Sequence, residues 1–122
     1  MRILMTKWMV RYARKQRIAD SSLREAIVRA ECGLVDADLG GGLIKQRVAR
    51  SGQGRSGGYR MIVAYREGNR AVFLYSFAKS EQENIEPDEL LTLREIGAAW
   101  LAADDAMLAK ALRDGTVQEV GE

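Results

Sequence analysis

Histidine is absent from the 122 residues, and cysteine occurs once, as Cys32. Losing histidine removes the commonest general acid–base, so any catalysis must use Lys, Arg, Tyr, Asp or Glu. A single cysteine can form no internal disulfide and no CxxC zinc or redox motif. Together the two shortages argue against a transition-metal site. The glycines fit no GxxxxGK[ST] pattern, which excludes a P-loop, and no cofactor is expected. No apolar run nears the roughly 18 residues that span a bilayer. The start, "MRILMTKW", lacks an apolar signal-peptide core and a small-residue cleavage site. The expected setting is therefore the cytoplasm, away from membranes.

Acidic residues are also missing, but only locally. Residues 39–80 hold eight Lys/Arg and one acid, Glu67, for a net charge of +7. Residues 1–38 carry +3 and residues 81–122 carry −8, so the overall +2 conceals a segregation. Ordinary soluble surfaces mix both signs. A basic middle backed by an acidic C-terminal third suggests a surface for a polyanion. The alternative is a solvated hairpin with an acidic helical back.

What the chain does contain is 47% apolar residues, enough for the modest core of one domain over residues 1–122. A short strand is expected within residues 2–9, then a helix from Trp8 to Arg17. A second helix follows in "ADSSLREAIVRAECGL". Asp20, Ser21 or Ser22 can cap it, Ser22 and Glu25 have capping-box spacing, and Leu23, Ala26, Ile27, Ala30 and Leu34 form its apolar stripe. Gly33 lies where this helix would stop. "DADLGGG" reads as a breaker run. Three strands follow, Leu43–Arg50, Tyr59–Arg66 and Ala71–Ala78, joined by the turn "SGQGRSGG" and the hairpin signal "EGNR", so an antiparallel meander is expected. Pro87 and Asp88 start a helix with Leu93, Ile96, Trp100 and Leu101 on one face. A shorter helix over Asp105–Arg113 ends at Gly115, and "TVQEV" is a tail strand. The class is α+β: an antiparallel sheet with two N-terminal helices and a helical C-terminus, the helices covering one sheet face. Trp8, Trp100 and Cys32 read as core.

The candidate chemistry lies in "GLIKQRVARSGQGRSGGYR", residues 42–60, which holds five cations, five glycines and no acid. Lys45 and Arg47 are two apart in a strand and share a face. Arg60 opens the next strand and Lys79 ends the third. Neighbouring strands run about 4.8 Å apart, so these cations can converge on a phosphate-bearing ligand. Tyr59 and Tyr65 are either stacking platforms for bases or packing residues. Arg50 and Arg55 either make general RNA contacts or do nothing specific. Glu81 and Glu83 are either a base or solvated helix-start carboxylates. Each basic residue has a plainer reading too: Lys45 and Arg47 as a solvated face, Arg60 paired with a C-terminal acid, Lys79 at an element's end.

The segments "GLVDADLGGGLIKQRVARSGQGRSGGYRMIV" and "FLYSFAKSEQENI" resemble RelE/HigB-type toxins of bacterial type II toxin–antitoxin systems, in the branch with a glycine-rich hairpin and an FAK-x-x-x-x-N-I segment. "TKWMVRYARK", the second helix and "DGTVQEV" agree, so the resemblance covers nearly the whole chain. It implies a small RelE-like (microbial RNase-like) α+β fold and metal-independent cleavage of mRNA on the ribosome. It also implies a cognate antitoxin, often a helix-turn-helix protein, through which alone DNA would be contacted. Carried over position by position, it makes Arg60, Lys45, Arg47 and Lys79 catalytic; the RNA contacts of Arg50, Arg55 and Tyr59 rest on the residue reading above and not on the resemblance. Ser80 and Glu86 stand where well-known RelE members place an arginine and, nearby, a tyrosine.

Such chemistry starts when a ribose 2′-OH attacks its adjacent phosphate. Fixed cations can align the reactants and neutralise the growing charge. Arg60 suits a phosphate clamp because a guanidinium grips two oxygens. Lys45 and Lys79 are candidates for acid or base, and Arg47 acts by charge. Ordinary lysines, with pKa about 10.4, are poor bases at neutral pH, and crowded cations lower that value. Two other functions stay open: a ParE-like toxin that blocks a protein such as DNA gyrase, favoured by Ser80 and Glu86, and a non-catalytic RNA-binding domain.

Overall fold

The computed structural model describes residues 1–50, 54–82 and 84–121. In chain order the elements are β1 (Arg2–Thr6), α1 (Lys7–Gln16), α2 (Asp20–Glu31), β2 (Ala37–Gly40), β3 (Leu43–Arg50), β4 (Gly54–Arg66), β5 (Arg70–Ala78), α3 (Pro87–Ala102), α4 (Asp105–Asp114) and β6 (Val117–Glu119). The six strands form one sheet in the order β2-β3-β4-β5-β1-β6. β3, β4 and β5 make the expected antiparallel meander. β1 instead pairs parallel with β5, Ile3 opposite Ala71, while β6 closes antiparallel on β1. The sheet is therefore mixed, because the chain passes through α1, α2 and the meander before returning beside its first strand.

Helices cover both faces, not one as the pattern suggested. On one face Met9, Ala13, Leu23, Ala26, Ile27 and Ala30 of α1 and α2 pack on Ile44, Val48, Tyr59, Met61, Val63 and Phe73. On the other, Leu101, Ala103 and Leu108 pack on Leu4, Leu43, Ile62, Ala64, Val72 and Leu74. β4 and β5 are apolar on both sides because each side receives a helix layer. α3 approaches closely at Gly97, where an added Cβ would lie 2.8 Å from Leu43 Cδ2 and 3.2 Å from Ala64 Cβ. Its C-terminal carbonyls are capped by buried Arg70, whose Nη1 donates to Trp100 O at 2.7 Å and Ala103 O at 2.8 Å. A cation there satisfies orphan acceptors and complements the helix dipole. Among the described residues no helix is long and apolar enough to cross a membrane.

Several local readings need correction. "DADLGGG" contributes strand β2, because Ala37–Gly40 finds a partner in β3. The strand after the hairpin begins at Gly54, not Tyr59, and residues 51–53 of the quoted turn lie outside the described residues. α2 is preceded by Ala19, which makes no side-chain cap; the Asp20 carboxylate instead accepts from Gly121 N–H at 2.7 Å. Because α2 stops at Glu31, Leu34 leaves the stripe and is 61% exposed. Cys32 is exposed and Trp8 is 42% exposed, so neither is core. Trp100 is half-buried, and Ile96 turns outward on α3 while Gly97 and Leu101 face the sheet.

Candidate nucleic-acid site

Strand alternation decides which cations meet. Odd positions of β3 and even positions of β4 share the face that carries α3. From beneath α3 outward, this face presents successive rungs across three strands. Lys45 lies opposite Ile62, which lies opposite Tyr75. Arg47 lies opposite Arg60, which lies opposite Phe77. The next rung pairs Gly58 with Lys79, whose N–H donates to Gly58 O at 3.1 Å. The structure thus brings Lys45, Arg47 and Arg60 to one face and sets Lys79 one rung on, with Ile62 and Phe77 buried in the same rungs.

The cations differ in setting. Arg47 and Lys79 are exposed, Lys45 is half-buried and Arg60 is buried. Arg60 Nη1 donates to Arg55 O at 3.2 Å. Burial, then the like charge of Arg47, lowers the Arg60 pKa, and Asp36 opposes the shift. An arginine stays protonated regardless.

Arg47 is held from the side. Beyond the reach of β2, its N–H donates to Asp36 Oδ2 at 2.7 Å and its carbonyl accepts from Arg29 Nη2. Arg29 also donates to Glu25 at 2.9 Å and to Asp36 at 3.3 Å. Beside it, Gln46 is fully buried on the α2 face. Its amide donates to Ala26 O at 2.8 Å and Leu34 O at 3.2 Å, and its oxygen accepts from Asp36 N–H at 2.7 Å. One side chain ties β3 to the middle of α2 and to the segment that leads into β2. Nothing in the sequence reading singled out Gln46, Asp36 or Arg29. The available signal was a lone amide in the apolar slot between Ile44 and Val48.

The glycines serve the same placement. At Gly58 an added Cβ would stand 2.2 Å from Val48 O, 2.8 Å from Arg50 N and 2.9 Å from Gly54 O. The register slips here between Val48 and Arg50. β4 folds back on itself so tightly that only glycine fits, and this carries the Arg55 carbonyl to Arg60.

Arg50 and Tyr59 do not join the cluster. They occupy the opposite face, where the Arg50 guanidinium lies 5.6 Å from the centroid of the Tyr59 ring. Tyr59 is 3% exposed, and its hydroxyl donates to Gln16 Oε1 at 3.2 Å, so its ring packs in the core. Tyr65 is half-buried and its hydroxyl donates to Glu31 on α2. Arg55 is exposed, with its guanidinium 4.0 Å from the Glu25 carboxylate. Glu81 is exposed and Glu83 lies outside the described residues. Of the eight cations in residues 39–80, Arg70 is spent on α3, so the +7 segment is not one patch.

Among the described residues, no three His, Cys, Asp or Glu side chains are grouped as metal ligands would be. Chemically, the arrangement offers several positive charges on one face, which suits a phosphodiester. The family described as RelE toxin of the RelE/RelB toxin-antitoxin system matches residues 1–120. No curated protein matches the chain.

Proposed function

The chain belongs to the RelE toxin family of RelE/RelB toxin–antitoxin systems, and on that footing we propose that it is a ribosome-dependent, metal-independent endonuclease of messenger RNA. The observation that carries the reading is the rung in which Arg47 faces Arg60, two residues from Lys45 on the same face. Like charges placed directly opposite one another cost stability. An anionic ligand repays that cost, and a scissile phosphate is such a ligand.

In this mechanism the ribose 2′-oxygen attacks the adjacent phosphorus as the bond to the 5′-oxygen breaks. The products are a 2′,3′-cyclic phosphate and a 5′-hydroxyl. Arg60 grips the phosphate oxygens from its buried position, and Arg47 neutralises the charge that builds on them. Lys45 and Lys79 flank this rung and are the groups available to take the 2′-OH proton and to protonate the leaving oxygen. The ribosome aligns the message. The family's RelB-type antitoxin binds the toxin, and any contact with operator DNA runs through a helix-turn-helix antitoxin. The site of action is the cytoplasm.

The test is controlled expression with transcript-end mapping. Translation-dependent cuts within codons support the reading. Chromosomal breaks and altered supercoiling without such cuts would instead indicate a toxin directed at gyrase. Arg60→Ala is expected to abolish toxicity while keeping the melting temperature and antitoxin binding. A variant as toxic as its parent would remove Arg60 from the mechanism.

A further inference from the structure

Tyr75 belongs to the Lys45 rung, and the mechanism above does not use it. Its ring lies 4.7 Å from that of Trp8 and 6.2 Å from that of Phe77. It is half-buried and forms one wall of a pocket of about 320 Å³ completed by Asp88, Glu89, Thr92 and Leu93 from the first turns of α3. Tyr75 is diagonal to Arg60, and such positions on paired strands lie about 7–8 Å apart. The pocket and the guanidinium pair are therefore neighbours on one face.

The two sites have opposite chemistry. The rungs of Lys45, Arg47 and Arg60 are positive, whereas the pocket rim carries the exposed carboxylates of Asp88 and Glu89. Those carboxylates repel a phosphate and accept hydrogen bonds only. An aromatic wall, the Leu93 side chain and acceptor-only carboxylates suit a flat group that presents N–H donors. We propose that this pocket receives one base of the bound RNA, stacked on Tyr75, and selects amino-bearing bases over uracil. Guanine, adenine and cytosine each carry an exocyclic amine that a carboxylate can accept from. Uracil has a single ring N–H between two carbonyls, and those carbonyls meet the carboxylates unfavourably. Glu89 stands close enough to Tyr75 to add to the effect of burial in raising the phenol pKa, so the ring stays neutral. With phosphate drawn to the cations and the base drawn to the carboxylates, the nucleotide has one orientation.

This inference rests on the nuclease reading, and cleavage mapping in a translation extract separates the two. Wild-type cuts are expected to be depleted in uracil, about fivefold or more against transcript composition, at one fixed position beside the cut. The doubly substituted Asp88→Asn, Glu89→Gln protein carries carboxamides, which donate as well as accept, and its cuts are expected to regain uracil at that position. Tyr75→Phe keeps the ring and should cut like the parent. Tyr75→Leu should cut about tenfold less, the scale of one lost base–aromatic stack, while keeping its melting temperature and antitoxin binding. An identical base distribution for the parent and the carboxamide protein, or parental cutting by Tyr75→Leu, would overturn the pocket alone. Absence of cuts by the parent would overturn the nuclease reading, and the pocket with it.

Discussion

Arg47 and Arg60 stand directly opposite each other on β3 and β4, one exposed and one buried, on the same face of the sheet. Burial, and then the like charge of Arg47, lowers the pKa of Arg60. The fold holds the pair in place. It fixes Arg47 through Asp36 and Arg29, and holds Arg60 against the Arg55 carbonyl. Like charges placed opposite each other cost stability, and an anion bound beside them would lower that cost.

Relieving the pair should therefore stabilise the protein and disarm it. Arg47→Thr keeps a strand-forming residue and removes one charge. Urea unfolding at low salt is expected to show a gain of about 0.2–1 kcal/mol. The gain should shrink at high salt as screening weakens the repulsion in the parent. Toxicity should fall in the same variant. Loss of stability at low salt would contradict the assignment.

Gln46 should matter as much as a core residue although it touches no ligand. Replacing it with Leu leaves Asp36 N–H and the carbonyls of Ala26 and Leu34 without their partner. A cost of about 1–3 kcal/mol is expected for these orphaned buried groups. Hydrogen exchange should quicken at Asp36 and Arg47 first, because their mutual contact depends on the same anchor.

Gly58→Ala tests the folded-back strand. The new methyl group would collide with Val48 O and two other backbone atoms, none of which is a flexible side chain. We expect a loss of about 1–3 kcal/mol with displacement of the 54–58 segment. Toxicity should drop by more than the stability loss explains, since the Arg55 carbonyl would leave Arg60. Calorimetry beside a growth assay reads both effects.

The hairpin between β4 and β5 is pinned to α2 by Glu31. Its carboxylate accepts from the Tyr65 hydroxyl and from Gly68 N–H at 3.1 Å, and these bonds, Tyr65 first, hold its pKa below the usual 4.5. A carboxylate with a depressed folded pKa contributes stability that is whole above its unfolded value and lost as pH falls through the folded one. Burial, then Glu31, raises the Tyr65 phenol above its usual 10.0, so its part persists until pH exceeds that value. Tyr65→Phe should thus unfold at lower urea than the parent at pH 7, with the gap narrowing towards pH 3. A gap independent of pH would show that the bond to Glu31 is not its source.

Much of the architecture was legible in the residues. Apolar periodicity marked α1, α2, α3 and the three meander strands, Pro87 opened α3, and Gly115 closed α4. The paired Lys45 and Arg47, with Arg60 across the hairpin, followed from the two-residue period of strands. What escaped were features that depend on a distant partner. β2 needed β3 beside it before "ADLG" could be a strand. Trp8 looked like core until α1 was placed so that its ring lies at the surface against half-buried Tyr12 and Tyr75, at 5.1 and 4.7 Å. Tyr59 could be read as a stacking platform or as a packing residue, and strand parity, which sets it one position from Arg60 on the other face, makes it the second.

Sequence alone determined the charge segregation, the helix-forming and strand-forming segments, and the residue types able to meet a phosphate. These are local properties, fixed by spacing and composition. Tertiary structure decided the rest: the parallel return of β1 beside β5, helices on both faces, the use of Arg70 on α3, and the union of Lys45, Arg47 and Arg60 without Arg50 or Tyr59. Those outcomes turn on strand register and on which buried polar groups find partners. Both are settled only when segments far apart in the chain compete for the same space.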